Sequence, residues 1–157
     1  MEDDALIDEL QLIVFSLAQE EYALPITKVQ EINRLVAITK LPQTPNFMEG
    51  IINLRGQIIP VIDLRKRFAL AMAEYTDDSR IIIVTIGGQT AGIIVDSVAE
   101  VVRLQSDHIE PPPKSFTIDS QYIEGVGKLG DRLLILLNLD RTLSTDEENA
   151  LREMNDR

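Results

Sequence analysis

Few of the side chains that carry catalysis are present in this chain. Its 157 residues include a single histidine, His108, and no cysteine, which excludes thiol catalysis, disulfides and Cys-ligated zinc or iron–sulfur sites. His108 follows Ser106 and Asp107 in a polar turn, so we interpret it as a surface residue. A serine nucleophile would need that one histidine within reach, and no nucleophile-elbow motif surrounds any serine. The sequence therefore predicts a protein that is not an enzyme.

Phosphate-binding and metal-binding motifs do not stand out either. The stretch 87–92 is rich in glycine, but neither Lys-Ser/Thr nor a helix follows it, so it predicts a turn rather than a phosphate loop. The adjacent carboxylates Glu20/Glu21 and Asp77/Asp78 fall in apparent turns, where solvated charge is the default. No spacing matches an EF-hand loop. We expect no cofactor and no metal in the body of the protein, while an oxygen-ligated metal at the acidic ends is left open.

The negative charge of the chain lies mostly at its ends. A net charge of −11 argues against nucleic acid as a partner, because that affinity depends on neutralising phosphates. Residues 1–9 carry five acids and no base, and 146–157 carry five acids and two arginines. We interpret both segments as solvated tails on a nearly balanced body. The sequence contains neither a signal peptide nor an apolar run long enough to span a bilayer, which predicts a soluble cytoplasmic protein.

Short apolar runs separated by turn signals dominate the chain and predict an all-β fold. Several of the runs are apolar on both faces, which predicts strands that are covered on both sides. The predicted strands are 10–17, 21–26, 50–54, 58–62, 80–86, 90–95, 98–104, 122–129 and 132–137. Helices are few: short helical turns at 45–49 and 64–71, and a C-terminal helix from about residue 146, for which Ser144 and Glu147 form a capping box.

An internal duplication is the most informative feature of the sequence. Residues 12–32 align with 81–101 at an offset of 69, and residues 48–64 align with 123–139 at an offset of 75. The alignment places Glu31 on Glu100 and Gly50 on Gly125, with apolar positions matched throughout. Two matched blocks in the same order predict two copies of a β unit of about 65 residues. We assign them to 10–73 and 80–144, each with four or five strands that can curl into a small barrel.

Two charged residues within the apolar runs are candidates for function. Arg55 aligns with Gly130 in the second copy, so the barrel unit itself does not require an arginine there. This asymmetry favours a functional role as much as a solubilising turn residue. Glu31 aligns with another acid, Glu100, which favours a structural role shared by both copies at least as strongly.

Several motifs, taken together, resemble the CheW family of bacterial chemotaxis coupling proteins. These motifs are YALPI at 22–26, VQEI at 29–32, NLRGQIIPVIDL at 53–64 and GIIVDSV at 92–98, and the resemblance covers roughly 10–143. It implies one CheW-like domain over 10–144, built of two tandem SH3-like five-stranded β-barrels, with an acidic tail at 1–9 and a C-terminal helix or tail at 145–157. Whether the barrels follow the repeat or interlace across it is left open. Relatives that append a receiver or kinase domains need a longer chain, so we expect a stand-alone coupler unless the chain is a fragment.

The resemblance also implies a function and a set of site residues. Family members are not enzymes and link methyl-accepting chemoreceptors to the histidine kinase CheA in arrays at the membrane. The receptor-binding groove is implied to include Ile26, Val29, Glu31, Ile32, Gly50, Arg55 and Val98. The kinase-binding residues are not assigned. The alternative is a small-molecule-binding double barrel, which would show polar groups and aromatic side chains around a closed cavity.

Overall fold

The computed structural model describes residues 9–42, 48–112, 122–142 and 152. In these residues the chain forms mainly strands, with a short helix and 3₁₀ turns between them. The strands are β1 Glu9–Leu17, β2 Glu20–Pro25, β3 Val29–Arg34, β4 Met48–Leu54, β5 Gln57–Asp63, β6 Arg80–Ile86, β7 Gln89–Val95, β8 Ser97–Gln105, β9 Ile109–Glu110, β10 Ile123–Leu129 and β11 Arg132–Leu137. The helix α1 spans Leu64–Arg67, and the 3₁₀ turns are Ile26–Lys28, Ser106–His108 and Leu139–Arg141.

All nine predicted strands are present, with ends shifted by one or two residues, and β3 and β9 come in addition. The helical turn predicted at 64–71 is shorter than expected. Asp63 caps its first turn by accepting from the Arg65 N–H at 2.9 Å, and Ala69 adopts a left-handed φ of 56° just after its end. Of the turn predicted at 45–49, the described residues Met48 and Glu49 belong to β4. The predicted C-terminal helix lies outside the described residues apart from Arg152.

Tight hairpins connect consecutive antiparallel strands. Ala18 and Gln19 have φ values of 52° and 70°, Arg55 and Gly56 have 53° and 87°, and Gly87 and Gly88 have 56° and 79°. Two consecutive positive φ angles are typical of type I′ turns, whose twist matches that of the flanking strands. Arg55 therefore occupies a backbone conformation that few residues other than glycine and asparagine adopt.

The strands form two sheets with the same internal order. Sheet A has the order β8-β1-β2-β11-β10-β9, and sheet B has the order β3-β6-β7-β5-β4. By the sequence alignment of the two copies, β8, β1, β2, β11 and β10 correspond in turn to β3, β6, β7, β5 and β4. The duplication is thus visible as two sheets of identical strand order, with the two-residue β9 added to sheet A.

Each sheet draws its strands from both halves of the sequence. Sheet A takes the hairpin β1–β2 from the first half, and sheet B takes the hairpin β6–β7 from the second half. The exchanged hairpins join their new sheets through antiparallel pairs with β8 and β3 and through parallel pairs with β11 and β5. The strands are therefore interlaced across the repeat, and the sheets do not coincide with the halves 10–73 and 80–144.

The two faces of the exchanged strands pack into different cores. Alternate residues of β1 and β6, such as Phe15 and Ile82, belong to one apolar cluster that joins the two sheets. The intervening residues of β1, such as Leu12, pack in a second cluster within sheet A, and those of β6, such as Ile81, pack in a third within sheet B. Because side chains alternate across a strand, burial on both faces explains why these strands are apolar throughout.

Candidate functional site

Four of the predicted site residues lie on or next to the edge strand β3. Ile26 is in the 3₁₀ turn that precedes β3 and is 36% exposed. Along β3 the odd-numbered residues, including Val29 and Glu31, are half-buried, while the even-numbered residues, including Ile32, are exposed. Ile32 is 39% exposed. The strand and the turn before it therefore place Val29 against the protein and Ile26 and Ile32 at the surface.

Val29 and Val98 are brought to the same core from different sheets. Val29 is at the start of β3 in sheet B, and Val98 is in the repeat-equivalent strand β8 of sheet A. Both are partly buried, and both pack against the cluster that joins the two sheets. The two valines thus occupy equivalent positions in the two copies, and both pack against the outside of the shared core.

Glu31 and Arg55 form an ion pair that the sequence did not reveal. The Arg55 Nη2 atom donates to Glu31 Oε2 at 2.6 Å, and Asn33 Nδ2 donates to Glu31 Oε1 at 2.7 Å. These hydrogen bonds, with that of Arg55 the stronger, hold the pKa of the Glu31 carboxyl below its ordinary value. The pair connects β3, at one end of the strand order of sheet B, with the β4–β5 hairpin at the other end.

Sheet A contains a counterpart of this pair. The inference that only the first copy has an arginine in this role is therefore wrong. Glu100, the repeat equivalent of Glu31, accepts from Arg132 Nη1 at 2.6 Å. Arg132 lies two residues after Gly130, the aligned equivalent of Arg55, so the alignment by itself did not match the two arginines. Arg132 also binds Glu21 through two donors at 3.1 and 2.7 Å. A guanidinium on this glutamate is therefore a feature of both copies, and what distinguishes Arg55 is its exposure, 70% of the side chain against 39% for Arg132.

Gly50 has an architectural role that is also repeated. A Cβ atom on Gly50 would lie 2.3 Å from the Thr39 carbonyl oxygen, because the chain after β3 pairs there with β4 through two hydrogen bonds between Thr39 and Ile51. The equivalent Gly125 faces β9, and its Cβ would lie 2.8 Å from the Glu110 carbonyl oxygen. Both glycines allow a close approach of two backbones. The repeated Glu-Gly of the sequence thus marks a packing requirement of the fold.

The exposed apolar residues around the two ion pairs are repeat-related as well. Ile32 and Ile58 are 39% and 42% exposed in sheet B, and their equivalents in sheet A, Val101 and Leu133, are 54% and 59% exposed. In each copy, one member of the pair directly follows the bridging glutamate, and the other lies on β5 or β11, shortly after Arg55 or Arg132. Each sheet therefore presents two exposed aliphatic side chains close in sequence to its glutamate–arginine pair.

Two further charged pairs, which the sequence analysis missed, hold the sheets together. Arg65, next to the end of β5, donates to Asp96 from Nε at 3.0 Å and from Nη2 at 2.6 Å, and Asp96 also accepts from the Ala18 N–H at 2.9 Å. The repeat equivalent of Arg65 is Asp140, which accepts from the Gly87 N–H at 3.0 Å and from Lys28 Nζ at 3.3 Å. Each copy thus makes a comparable link after its last long strand, with an arginine in one copy and an aspartate in the other, and Lys28 lies one residue beyond Thr27, the aligned equivalent of Asp96.

Hydrogen bonds keep both of these carboxyl groups ionised. Burial acts to raise the pKa of Asp96, but the hydrogen bonds from Arg65 and from the Ala18 N–H outweigh it and leave the pKa below its ordinary value. The Gly87 N–H, helped by Lys28, lowers the pKa of Asp140 against the opposing effect of burial.

The described residues show no constellation suited to catalysis or metal binding. His108 is in a 3₁₀ turn with its side chain 55% exposed, as predicted for a surface residue. In the described ranges no three His, Asp or Glu side chains are grouped so that they could hold a metal ion. Two cavities lined by described residues contain no aromatic side chain in their walls. None of the described helices has the length and apolar character needed to cross a membrane.

The predicted site residues therefore fall into three pairs, with Gly50 separate from them. Glu31 and Arg55 are in direct contact, and Val29 and Val98 share a core. Ile26 and Ile32 are at the surface close in sequence to Val29. Gly50 is in contact with Thr39 and Ile38, so its role is to fit the chain after β3 onto β4.

Comparison with known proteins identifies the family. The family model for the CheW-like domain matches residues 11–147. The chemotaxis protein CheW of Klebsiella aerogenes is 39% identical over 138 residues, which cover 87% of this chain and 83% of the relative. The chemotaxis protein CheW of Helicobacter pylori is 36% identical over 137 residues, with the same coverage. The crystal structure of the scaffolding protein TtCheW from Thermoanaerobacter tengcongensis is similar with a TM-score of 0.83 and 49% identity, covering 89% of this chain and 96% of that one. On the fold, the duplicated architecture and these matches, this chain belongs to the CheW family of chemotaxis and scaffolding proteins.

Proposed function

We propose that the protein is a non-enzymatic adaptor that couples methyl-accepting chemoreceptors to the histidine kinase CheA. Membership of the CheW family supports the role. The observation that suggests where a partner binds is the apolar surface around β3, where Ile26 and Ile32 are exposed next to the half-buried Val29. On this proposal the protein works in the cytoplasm, against receptor arrays at the membrane.

The receptor is proposed to bind at this surface, for which we use the name β3 patch, defined by Ile26, Val29 and Ile32 with the Glu31–Arg55 pair. Aliphatic side chains at a strand edge suit the apolar face of an amphipathic helix, a common mode of helix recognition. Arg55 has a side chain that is 70% exposed while it is bound to Glu31. A receptor carboxylate can therefore share the guanidinium through a charge-assisted hydrogen bond.

Val98 and Gly50 contribute to this proposal in a different way. Val98 supports the patch through the core that it shares with Val29. Gly50 supports it by holding the chain that follows β3 against β4. On this view neither residue needs to touch the receptor, and their effects on binding come through the position of β3.

The proposal is tested by assembling the protein with a receptor cytoplasmic fragment and CheA on vesicles and measuring co-sedimentation and kinase activity. We expect the protein to sediment with the receptor and to raise the activity of the kinase. Omitting the receptor or the kinase from the mixture provides the controls. If the folded protein sediments with neither partner and leaves kinase activity unchanged, the proposed function is wrong.

A further inference from the structure

A cavity of about 480 Å³ opens at one end of sheet A. Its lining includes none of the β3 patch residues, although Pro25 and Lys28 in the lining directly precede Ile26 and Val29 of that patch. Its apolar walls come from β1, β9 and β11, and polar side chains from the 3₁₀ turns and from β10 surround them. The apolar walls include Leu10, Ile109 and Leu136, and the polar residues include Lys28, Glu124 and Asn138. The volume is in the range of cavities that take small ligands or single side chains of a partner.

At the equivalent place in sheet B lies a tyrosine of this chain, Tyr75, which is 41% exposed. Tyr75 donates its hydroxyl hydrogen to Asp63 Oδ2 at 3.0 Å, and partial burial, together with the nearby carboxylates of Asp63 and Glu49, raises the pKa of the Tyr75 hydroxyl. By the repeat alignment, Asp63 corresponds to Asn138 and Glu49 corresponds to Glu124. Both of these equivalents line the cavity in sheet A. The segment that carries Tyr75 joins the two copies.

The polar groups of the cavity are arranged to receive a hydroxyl. Asn138 Nδ2 donates to Glu124 Oε2 at 2.8 Å, and Asn138 Oδ1 accepts from the Arg141 N–H at 3.2 Å, as Asp63 accepts from the Arg65 N–H. The Glu124 carboxylate keeps a second oxygen to accept from a phenol, and the Asn138 amide keeps a second hydrogen to donate to the phenol oxygen. An aromatic ring would meanwhile cover the apolar walls.

We propose that this cavity is a docking site for a tyrosine side chain presented by a protein partner. The phenol hydroxyl donates to Glu124 and accepts from Asn138, and the ring packs on Leu10, Ile109 and Leu136. A side chain carried on a polypeptide is the occupant because the equivalent place in sheet B already holds one. The inference does not depend on the proposed receptor function, since it rests on the repeat relationship and on the cavity itself.

The test uses the full chain, labelled for NMR, with N-acetyltyrosinamide as the probe and N-acetylphenylalaninamide as the probe without the hydroxyl. We expect saturable shifts at Leu10, Ile109 and Asn138 with the tyrosine probe, and at least threefold weaker binding of the phenylalanine probe. Shifts that do not saturate, or equal affinities for the two probes, would overturn the proposal.

Two variants and a matched control extend the test. Glu124→Gln removes the charged acceptor and is expected to weaken the tyrosine probe about fivefold, because hydrogen bonds to ions are about twice as strong as neutral ones. Glu110→Gln, an exposed acid on β9 that does not line the cavity, is the matched control and is expected to leave the affinity unchanged. Leu10→Trp fills the cavity and is expected to abolish saturable binding while the thermal unfolding midpoint stays close to that of the parent. Unchanged affinity in both Glu124→Gln and folded Leu10→Trp would contradict the assignment of the site.

Discussion

Arg55 reaches Glu31 over 2.6 Å from the hairpin at one end of sheet B to the strand at the other end, and Arg132 makes the equivalent contact with Glu100 in sheet A. The two contacts differ in their surroundings. Arg132 is held by two glutamates, which together raise the pKa of its guanidinium, whereas Arg55 has one carboxylate partner and is mostly exposed. This difference separates a structural arginine from one that is available to a partner.

Replacing each arginine distinguishes the two roles. Arg55→Ala is expected to leave the unfolding midpoint nearly unchanged, because exposed ion pairs contribute little to stability. It is expected to weaken receptor binding severalfold through loss of the shared guanidinium. Arg132→Ala is expected to lower the midpoint, since Glu21 and Glu100 would then face each other without a cation, and to leave receptor affinity unchanged. Thermal unfolding and titration with receptor fragment check both variants, and the reverse pattern would rule out Arg55 as a contact.

The exposed isoleucine of the β3 patch gives a second prediction with a matched control. Ile32→Asp is expected to weaken receptor binding at least tenfold, because the partner's apolar face would then cover an unpaired charge. Val101→Asp places the same change at the repeat-equivalent exposed position of sheet A and is expected to leave receptor binding intact. Calorimetric titration measures both, and equal affinities for the two variants would mean that the patch is misplaced.

The close approach at Gly50 predicts a loss of stability. Gly50→Ala places a methyl group against the Thr39 carbonyl oxygen and is expected to cost about 2 kcal/mol or more of unfolding free energy. Gly125→Ala is expected to have a similar effect through Ile109 and Glu110, although it is in the other sheet. Gly130→Asn is the control, because nothing lies within 4 Å of its Cβ and asparagine tolerates its φ of 60°. Urea unfolding measures all three, and a stable Gly50→Ala variant would remove the packing argument.

The pKa of Asp96 predicts how stability depends on pH. Because the native pKa of Asp96 is below its ordinary value, ionised Asp96 stabilises the fold above about pH 4, and this contribution is lost as the pH falls through the native pKa. The parent is therefore expected to lose more stability between pH 7 and pH 3 than Asp96→Asn does. Asp131→Asn, at an exposed turn position, is the control and is expected to keep the parent's slope. Urea unfolding at several pH values checks this, and identical slopes for Asp96→Asn and the parent would contradict it.

The sequence predicted the elements of the fold well where the local signal was strong. Strands such as β1 and β6 are apolar on both faces because each lies between two cores. Their continuous apolar sequences therefore predicted the strands correctly. β3 was not predicted because it is an edge strand with one exposed face. Its sequence, V-Q-E-I-N-R, is mostly polar and therefore lacks the apolar run that indicated the other strands. β9 was missed because two residues carry no periodicity. The receptor residues named from the family resemblance remain predictions.

Features that depend on pairing between distant segments could not be predicted in the same way. Nothing local in β1 and β2 indicates that they pair with β8 and β11 rather than with β3 and β5. The role of Arg132 was hidden because its guanidinium reaches Glu100 from a position two residues beyond the aligned one. The close approach of Gly50 to the backbone of Thr39, eleven residues before it, is likewise a pairing that no local pattern indicates.

The exchange of hairpins between the sheets has a consequence for how the chain folds. The hairpin formed by β1 and β2 can close as soon as it is synthesised, but its lateral partner β8 begins at Ser97, in the second half of the chain. Sheet B likewise waits for β6 and β7 before β3 is joined to β5. Loop closure over such separations costs entropy before any sheet is complete. Neither half has a finished sheet of its own, so the two copies are expected to fold late, together, and as one cooperative unit.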